Sequence, residues 1–387
     1  MRLLHTSDWH IGRSLHGTDL LAEQEAVLGG LARVVTEQSV DVVVVAGDVY
    51  DRAVPSADAT GVLDRVVGRL LAAGAAVVMT PGNHDSARRL GTFSGLLSAA
   101  GLHVRASTPA LDEPVLLSDA HGEVAIYGLP FLEPEVARHE LGLGGREAGE
   151  ARTHEAVLGA AMDRVRADLF LRPGTRSVVL AHAFVAGGAP SESERDICVG
   201  GVDRVPASVF DGVDYVALGH LHRPQTLSPR MRYSGSPMPY SFGEAGQQKL
   251  AWLVDLDAAG LAGVRPVHLP VPRPLTVLVG ELAGLLADPA HAAAENHFVS
   301  ARLTDDVRPA DPMRRLQTRF PHCVHVEWTG AGRVADGRSY QERMSGRSDL
   351  DVAAEFVDHV RGVGASAAER ELLARALAAR DRVEAAR

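Results

Sequence analysis

The sequence predicts an α/β fold that carries its functional site at the carboxyl ends of buried strands. Five apolar segments run uninterrupted for about the length of a strand, as strands covered on both faces do. Each stops abruptly at a carboxylate, a carboxamide or an imidazole. The carboxyl ends of strands are also where open α/β sheets place their ligands.

The first segment, LLHT, gives way to Asp8 and His10 in TSDWHIG. Residues two apart share one face of a strand, so both side chains can point at one object beyond its tip. VDVVVVAGDVYD stops at Gly47 and Asp48, and AAVVMTPGNHD at Pro81, Gly82, Asn83, His84 and Asp85. SVVLAHAF ends at His182, and DYVALGHLHRP at Gly219, His220 and His222. A lone D-x-H is most often a surface turn; GD, GNHD and GHLH after successive apolar runs are not a chance pattern. Of 17 histidines, the twelve outside this pattern, such as His103, His121, His139 and His325, read as surface or packing residues.

The candidate metal donors are therefore Asp8, His10, Asp48, Asn83, His182, His220 and His222. Seven oxygen and nitrogen donors exceed the four of a tetrahedral zinc and suit two adjacent divalent ions, with Asp48 able to bridge them. Two such ions and two aspartates leave a residual positive charge, which attracts phosphate and acidifies a bound water. An aspartate in place of Asn83 would lower that charge.

Bulk properties bound the alternatives. A chain of 387 residues accommodates one large domain and a smaller one. Its 46% hydrophobic and 23% charged residues are ordinary for a soluble globular protein. No signal-peptide pattern or membrane-span window is present, which predicts a cytoplasmic protein. Cys198 and Cys323 stand far apart in no CxxC arrangement and read as packing residues. The net charge of −10 argues against a wholly basic nucleic-acid surface, so any contact with DNA must be local. Lys249 is the only lysine among 39 basic residues, a bias to which no function attaches from sequence alone.

The stretches DWHIGR, GDVYD, GNHD, AHAF and GHLH resemble the calcineurin-like metallophosphoesterases. With SDWHIGRSLHG, GLPFLEP and YSGSPMPYSFGE the resemblance narrows to the SbcD family of DNA double-strand-break nucleases, most strongly over residues 1 to 245. It implies a two-sheet α-β-β-α sandwich holding two divalent ions, with Mn2+ the expected metal. One ion would take Asp8, His10, Asp48 and His222, and the other Asp48, Asn83, His182 and His220. His84 would be the catalytic histidine, protonating or stabilising the oxygen that leaves phosphorus when an activated water attacks. Many archaeal and eukaryotic relatives carry a second histidine three residues after the bridging aspartate, where this chain has Asp51. Arg13, Arg88 and Arg89 are candidate DNA contacts because their motifs fix them beside the cluster.

Residues 1–270 are expected to form the nuclease domain. Prolines at 266, 270, 272 and 274 then mark a semi-rigid connector. Residues 275–345 alternate strand patterns with a short helical one, PMRRLQTRF, and match the family's small α+β capping domain, thought to orient DNA. Residues 301–347 hold nine arginines and six acids, a modest electrostatic hint. From Asp349 onward two helical patterns are broken at Gly362 and Gly364, the second opening with a capping box from Ser366 to Glu369. This tail, residues 349–387, cannot bury both its apolar stripes alone, and the family implies docking on an SbcC-type coiled-coil ATPase. The family further implies a homodimer through ATGVLDRVVGRLL and TFSGLLSAA. The leading expectation is a metal-dependent exonuclease and endonuclease subunit for DNA break repair. A cyclic-nucleotide or other small phosphodiesterase would use the same donors but needs neither cap nor tail, and a non-catalytic scaffold would not need intact donors and His84.

Overall fold

Runs such as Val42–Val45 have no polar face to turn to water, so the chain buries them between layers. In the computed structural model the strands of the first unit, Met1–Pro274, are β1 (Arg2–Thr6), β2 (Ser14–Leu15), β3 (Thr18–Asp19), β4 (Val42–Ala46), β5 (Ala76–Thr80), β6 (Leu102–Val104), β7 (Val115–Asp119), β8 (Gly122–Leu129), β9 (Arg176–His182), β10 (Tyr215–Gly219), β11 (Gln225–Ser228), β12 (Met231–Tyr233), β13 (Leu250–Asp257) and β14 (Gly260–His268). The structure describes residues 1–143, 152–191, 193–194, 204–329, 347–361 and 363–384. Cys198 lies outside them, as do Gly362 and residues 330–346, which include the end of the expected capping domain.

Two six-stranded sheets result, ordered β14-β13-β1-β4-β5-β6 and β11-β12-β10-β9-β8-β7. The central strands of each are parallel; antiparallel strands close both edges of the second sheet and one edge of the first, whose other edge, β6, runs parallel to β5. Leu3, Val42, Val44 and Val78 of the first sheet pack against Val124, Val178, Leu180 and Ala217 of the second. Helices α1 (Leu21–Gln38) and α2 (Ala57–Ala72) bury Val27, Leu28, Leu31, Val35 and Val62, Val66, Leu70 at helical spacing. Helix α3 (His154–Phe170) sets Val157, Ala161, Met162 and Val165 in the core on the second sheet's other face. The fold is thus the two-sheet α/β sandwich that the sequence leads one to expect.

His5 fixes the sheets to each other. Its Nε2–H donates to the Leu218 carbonyl at 3.1 Å, which leaves Nδ1 to accept from the Tyr215 hydroxyl at 2.9 Å. Burial pushes its pKa down to about 3, so it stays neutral. The bridge ties β1 to β10 just before the polar residues that follow both strands.

Pro266 falls inside β14 rather than in the connector the proline pattern predicts. β14 is an edge strand, where a missing amide donor costs no ladder bond.

The second unit, Leu275–Arg387, has a three-stranded parallel sheet of β15 (Leu275–Gly280), β16 (Phe298–Leu303) and β17 (Cys323–Trp328). Helices Leu282–Ala287 and Pro312–Gln317 contribute Leu282, Leu285 and Leu316 to a core with Leu278, Val299, Leu303, Phe320 and buried Cys323. Arg319 is engaged with Glu295 and the Leu285 carbonyl, while Arg314 and Arg315 are exposed. Helices Asp349–Arg361 and Ala367–Glu384 follow. The capping box forms, Ser366 N donating to Glu369 Oε2 at 2.8 Å and Glu369 N to Ser366 Oγ at 3.4 Å. Of the stripes, Phe356 stays 54% exposed and Leu372 61%. No helix among the described residues is long and apolar enough to cross a membrane.

Candidate metal centre

Each central strand ends where the chain must turn sharply, and the turning residues are themselves the polar ones. Asp8, His10, Asp48 and His220 all have positive φ (52°, 44°, 48° and 105°), a backbone state uncommon for residues with a side chain. The loops after β1 and β4 run side by side through Asp8 N to Gly47 O, His10 N to Asp48 O and Ile11 N to Val49 O. Glycine is required where these turns crowd: a Cβ on Gly82 would lie 2.2 Å from Asp48 Oδ1.

Three triads gather donor atoms within 4.8 Å of one another: Asp8, His10 and His222; His10, Asp48 and His84; and Asp8, Asp48 and His182. Asp48 Oδ2 stands 3.5 Å from His10 Nε2 and 3.4 Å from His182 Nε2, between the outer two triads. Asn83 Oδ1 lies 2.8 Å from His182 Nε2. The His220 ring stacks edge-on to that of His182, centroids 5.3 Å apart, although His220 belongs to none of the triads.

Hydrogen bonds behind the rings orient the lone pairs forward. His182 Nδ1–H donates to the Ala46 carbonyl at 3.1 Å, so Nε2 presents a lone pair to the carboxamide oxygen of Asn83. His10 and His222 bring their Nε2 atoms to 3.0 Å. Burial drives His10 and His222 well below the ordinary histidine range, and His182 down to about 3. Two neutral rings whose Nε2 atoms converge, with at most one proton between them, fit a cation in its place.

The acids need the same partner. Burial pushes Asp48 up to about 6 and Asp8 well above the usual carboxylate range, the latter also through repulsion from Asp48. A divalent cation would favour both as carboxylates. The donor set, all oxygen and imidazole nitrogen, suits ions such as Mn2+, Fe2+ or Zn2+.

Residues 1–224 match the calcineurin-like phosphoesterases. The chain belongs to that family. As a calcineurin-like phosphoesterase it is a metal-dependent hydrolase of phosphate esters. Residues 271–361 match the type 5 capsule protein repressor C-terminal domain, which is the C-terminal domain of SbcD proteins. The two matches in one chain give this phosphoesterase the architecture of an SbcD-type nuclease subunit. Among solved structures, the protein TT1561 of Thermus thermophilus is similar over 69% of this chain and 98% of its own, at 12% identity and TM-score 0.39. A dimetal phosphatase from Danio rerio is similar over 70% and 99%, at 16% identity and TM-score 0.37.

Around the phosphoesterase donors, the structure assigns partners that motif reading leaves open. Asp85 accepts from the amides of Val49, Tyr50 and Gly82 at 2.9, 2.8 and 3.0 Å, binding the GDVYD loop to the GNHD loop. Its carboxyl is pushed up to about 7, by burial and then by Asp48. Asp51 Oδ1 faces His10 Nδ1 at 3.4 Å, without hydrogen-bond geometry, and Arg13 Nη1 at 3.7 Å. The Asp51 carbonyl accepts from His84 Nδ1 at 2.8 Å, and His84 N donates to Asp48 Oδ1 at 2.9 Å. Gln24 of α1 spans the DWHIGR loop, accepting from Gly12 N and donating to His10 O.

The candidate arginines divide. Arg13 is half-buried, packed over the Tyr240 ring at 5.3 Å and donating to the Ser193 carbonyl at 2.8 Å. Arg88 and Arg89 are exposed on the short helix Ala87–Leu90 that follows GNHD.

Behind His222 lies a buried polar network. Lys249, 1% exposed, donates to Glu244 Oε2 at 2.5 Å, Ser236 Oγ at 3.0 Å and the His222 carbonyl at 3.0 Å. Ser193 Oγ reaches both Glu244 Oε1 and His222 Nδ1, and Glu194 Oε1 accepts from His222 N at 2.7 Å. Its one sequence signal is the solitary lysine.

Proposed function

We propose that the chain is the nuclease subunit of an SbcCD-type complex, cutting DNA in break repair and recombination as a Mn2+-dependent 3'-5' exonuclease on double-stranded ends and an endonuclease on hairpins or single strands. The observation that carries this reading is an SbcD C-terminal domain in the same chain as the phosphoesterase domain. A small phosphodiesterase has no use for it.

Asp8, His10, Asp48 and His222 would hold one ion, and Asp48, Asn83, His182 and His220 the other. Bound there, divalent ions supply charge for a phosphodiester and acidify a water. The chain supplies the rest. His84, its Nδ1–H committed to the Asp51 carbonyl, turns Nε2 toward the site and at that atom delivers or shares a proton with the departing oxygen. Asp85 keeps the loops of Asp48 and His84 at fixed separation. Arg88 and Arg89 are free to meet DNA phosphates, whereas Arg13 braces the site wall and serves DNA indirectly.

Association follows the same reading. Phe93 and Leu96 are 70% and 75% exposed, beside a groove of about 630 Å³ lined by Leu63, Val67, Leu90 and Leu97, which supports a homodimer across α2 and the helix Ser94–Ser98. The exposed faces of the two tail helices support docking on an SbcC-type coiled-coil ATPase. A labelled duplex incubated with Mn2+, with and without that ATPase, tests the proposal. Cleavage that His84→Ala abolishes supports it; hydrolysis of small phosphodiesters with DNA untouched overturns it.

A further inference from the structure

We propose that Lys249 is a positioning residue that, through Glu244 and Ser193, fixes the tautomer of His222 and aims its Nε2 lone pair into the metal centre. The inference rests on the reading of His222 as a metal donor.

The direction of each bond follows from what its atoms can do. An ammonium has three N–H groups and no acceptor, and here they meet three acceptors: Glu244 Oε2, Ser236 Oγ and the His222 carbonyl. Paired with Lys249, the Glu244 carboxylate accepts only, so the single Ser193 hydroxyl proton is directed to Glu244 Oε1. The Ser193 oxygen is then left to accept, and the proton it accepts at 2.5 Å is the one on His222 Nδ1. A neutral imidazole protonated at Nδ1 carries its lone pair at Nε2, the atom facing His10. The backbone of His222 is held by the same cluster, its N–H by Glu194 and its carbonyl by Lys249 and Ser236 N. Nothing in His222 but Nε2 is left to the site.

This accounts for a lysine at position 249 in a chain whose other basic residues are all arginine. Three acceptors match the three N–H groups of an ammonium, while a guanidinium would bring five donors to a buried site where three acceptors meet the side chain. Lys249 is as fully buried as the donors it serves.

The test separates positioning from charge balance. Lys249→Met alone leaves the Glu244 carboxylate buried and unpaired, which lowers the melting temperature whatever the role. The double variant Lys249→Met with Glu244→Met removes both charges. Calorimetric titration with Mn2+ should show one site of the double variant weakened about 10- to 100-fold, with the melting temperature of the chelated protein largely recovered. Wild-type affinity at both sites in the double variant would reduce Lys249 to a counterion and overturn the proposal. A second measurement needs no variant: 15N NMR of the chelated wild type should find His222 protonated at Nδ1, and a proton on Nε2 instead overturns the relay directly. His222→Ala is the control for the underlying reading. If it binds two ions as tightly as wild type, His222 is no donor, and the failure lies there rather than in the relay.

Discussion

Nε2 of His10 lies 3.0 Å from Nε2 of His222, so in the metal-free chain at most one proton lies between them. His222 holds its proton at Nδ1 against Ser193, and the His10 Nδ1 faces Asp51. With its proton at Nδ1, His222 offers its Nε2 lone pair toward His10, and a divalent cation between the rings would hold both nitrogens more strongly than one shared proton does. Chelation should lower the melting temperature of the protein and Mn2+ should restore it, by about 2.7 kcal/mol at a hundredfold excess over the dissociation constant. A melting temperature indifferent to the metal would mean that the cluster is not a metal centre.

Asp48 is the shared member. Its Oδ2 is within 3.5 Å of both His10 and His182, so Asp48→Ala should abolish activity and strip both ions. Metal analysis of the purified variant decides it; two ions retained per chain would refute the bridging role.

His84 and Asp51 should separate chemistry from metal binding. His84→Ala is expected to keep both ions and DNA binding while losing activity by ~10² to 10⁴-fold. Asp51→Ala leaves the backbone carbonyl that orients His84 but removes the carboxylate beside His10, so it should raise the Mn2+ dissociation constant about tenfold and recover most activity at saturating metal. If excess metal rescues His84→Ala instead, the roles are reversed.

How much of this was legible in the sequence depends on how far apart the partners lie. Asp8, His10, Asp48, Asn83, His84, His182, His220 and His222 could be singled out because a strand buried on both faces has to end somewhere, and the residue types at its end are visible in order. The two-sheet sandwich followed once those motifs were matched to a family. Asp85 could be seen, but not the three amides it accepts from, because they depend on β4 lying beside β5. Ser193, Glu244 and Lys249 come from loops that only the fold brings behind His222. His5 sits in an apolar run and could not be told from packing until β1 and β10 faced each other. Pro266 was read by its local effect alone, whereas its place on an edge strand makes it harmless.

Acidity supplies an independent test of the buried carboxylates. Asp48 is raised from an ordinary 3.8 to about 6, so between those values the folded chain holds a proton that the unfolded chain has released. Its contribution therefore destabilises the fold as pH rises through that window and vanishes below about pH 4. In chelator, Asp48→Asn should melt above wild type by a margin that grows from pH 4 to about 6.5 and then levels, reaching up to about 3 kcal/mol. The downward shifts of His182, His10 and His222 come first from burial, which the variant keeps, so they cancel in the difference; Asp8 and Asp85, pushed up in part by Asp48, are relieved in the variant and widen the margin in the same direction. With Mn2+ the order reverses, since the variant loses a ligand. A margin that does not change with pH would show that Asp48 ionises in the folded chain as freely as in water.

The tail offers a surface whose removal should leave the catalytic unit alone. Phe356 and Leu372, on successive helices of the second unit, are each more than half exposed, so their replacement by glutamate removes little packing from the chain itself. Buried in an interface, each would contribute ~1.5 to 3 kcal/mol, and the pair is enough to shift a dissociation constant by two orders of magnitude or more. The double variant should keep the wild-type melting temperature and Mn2+-dependent nuclease activity while it no longer co-purifies with the SbcC-type ATPase. A lower melting temperature with the complex intact would assign the two side chains to packing within the unit. Undiminished co-purification at an unchanged melting temperature would place the docking surface on other residues.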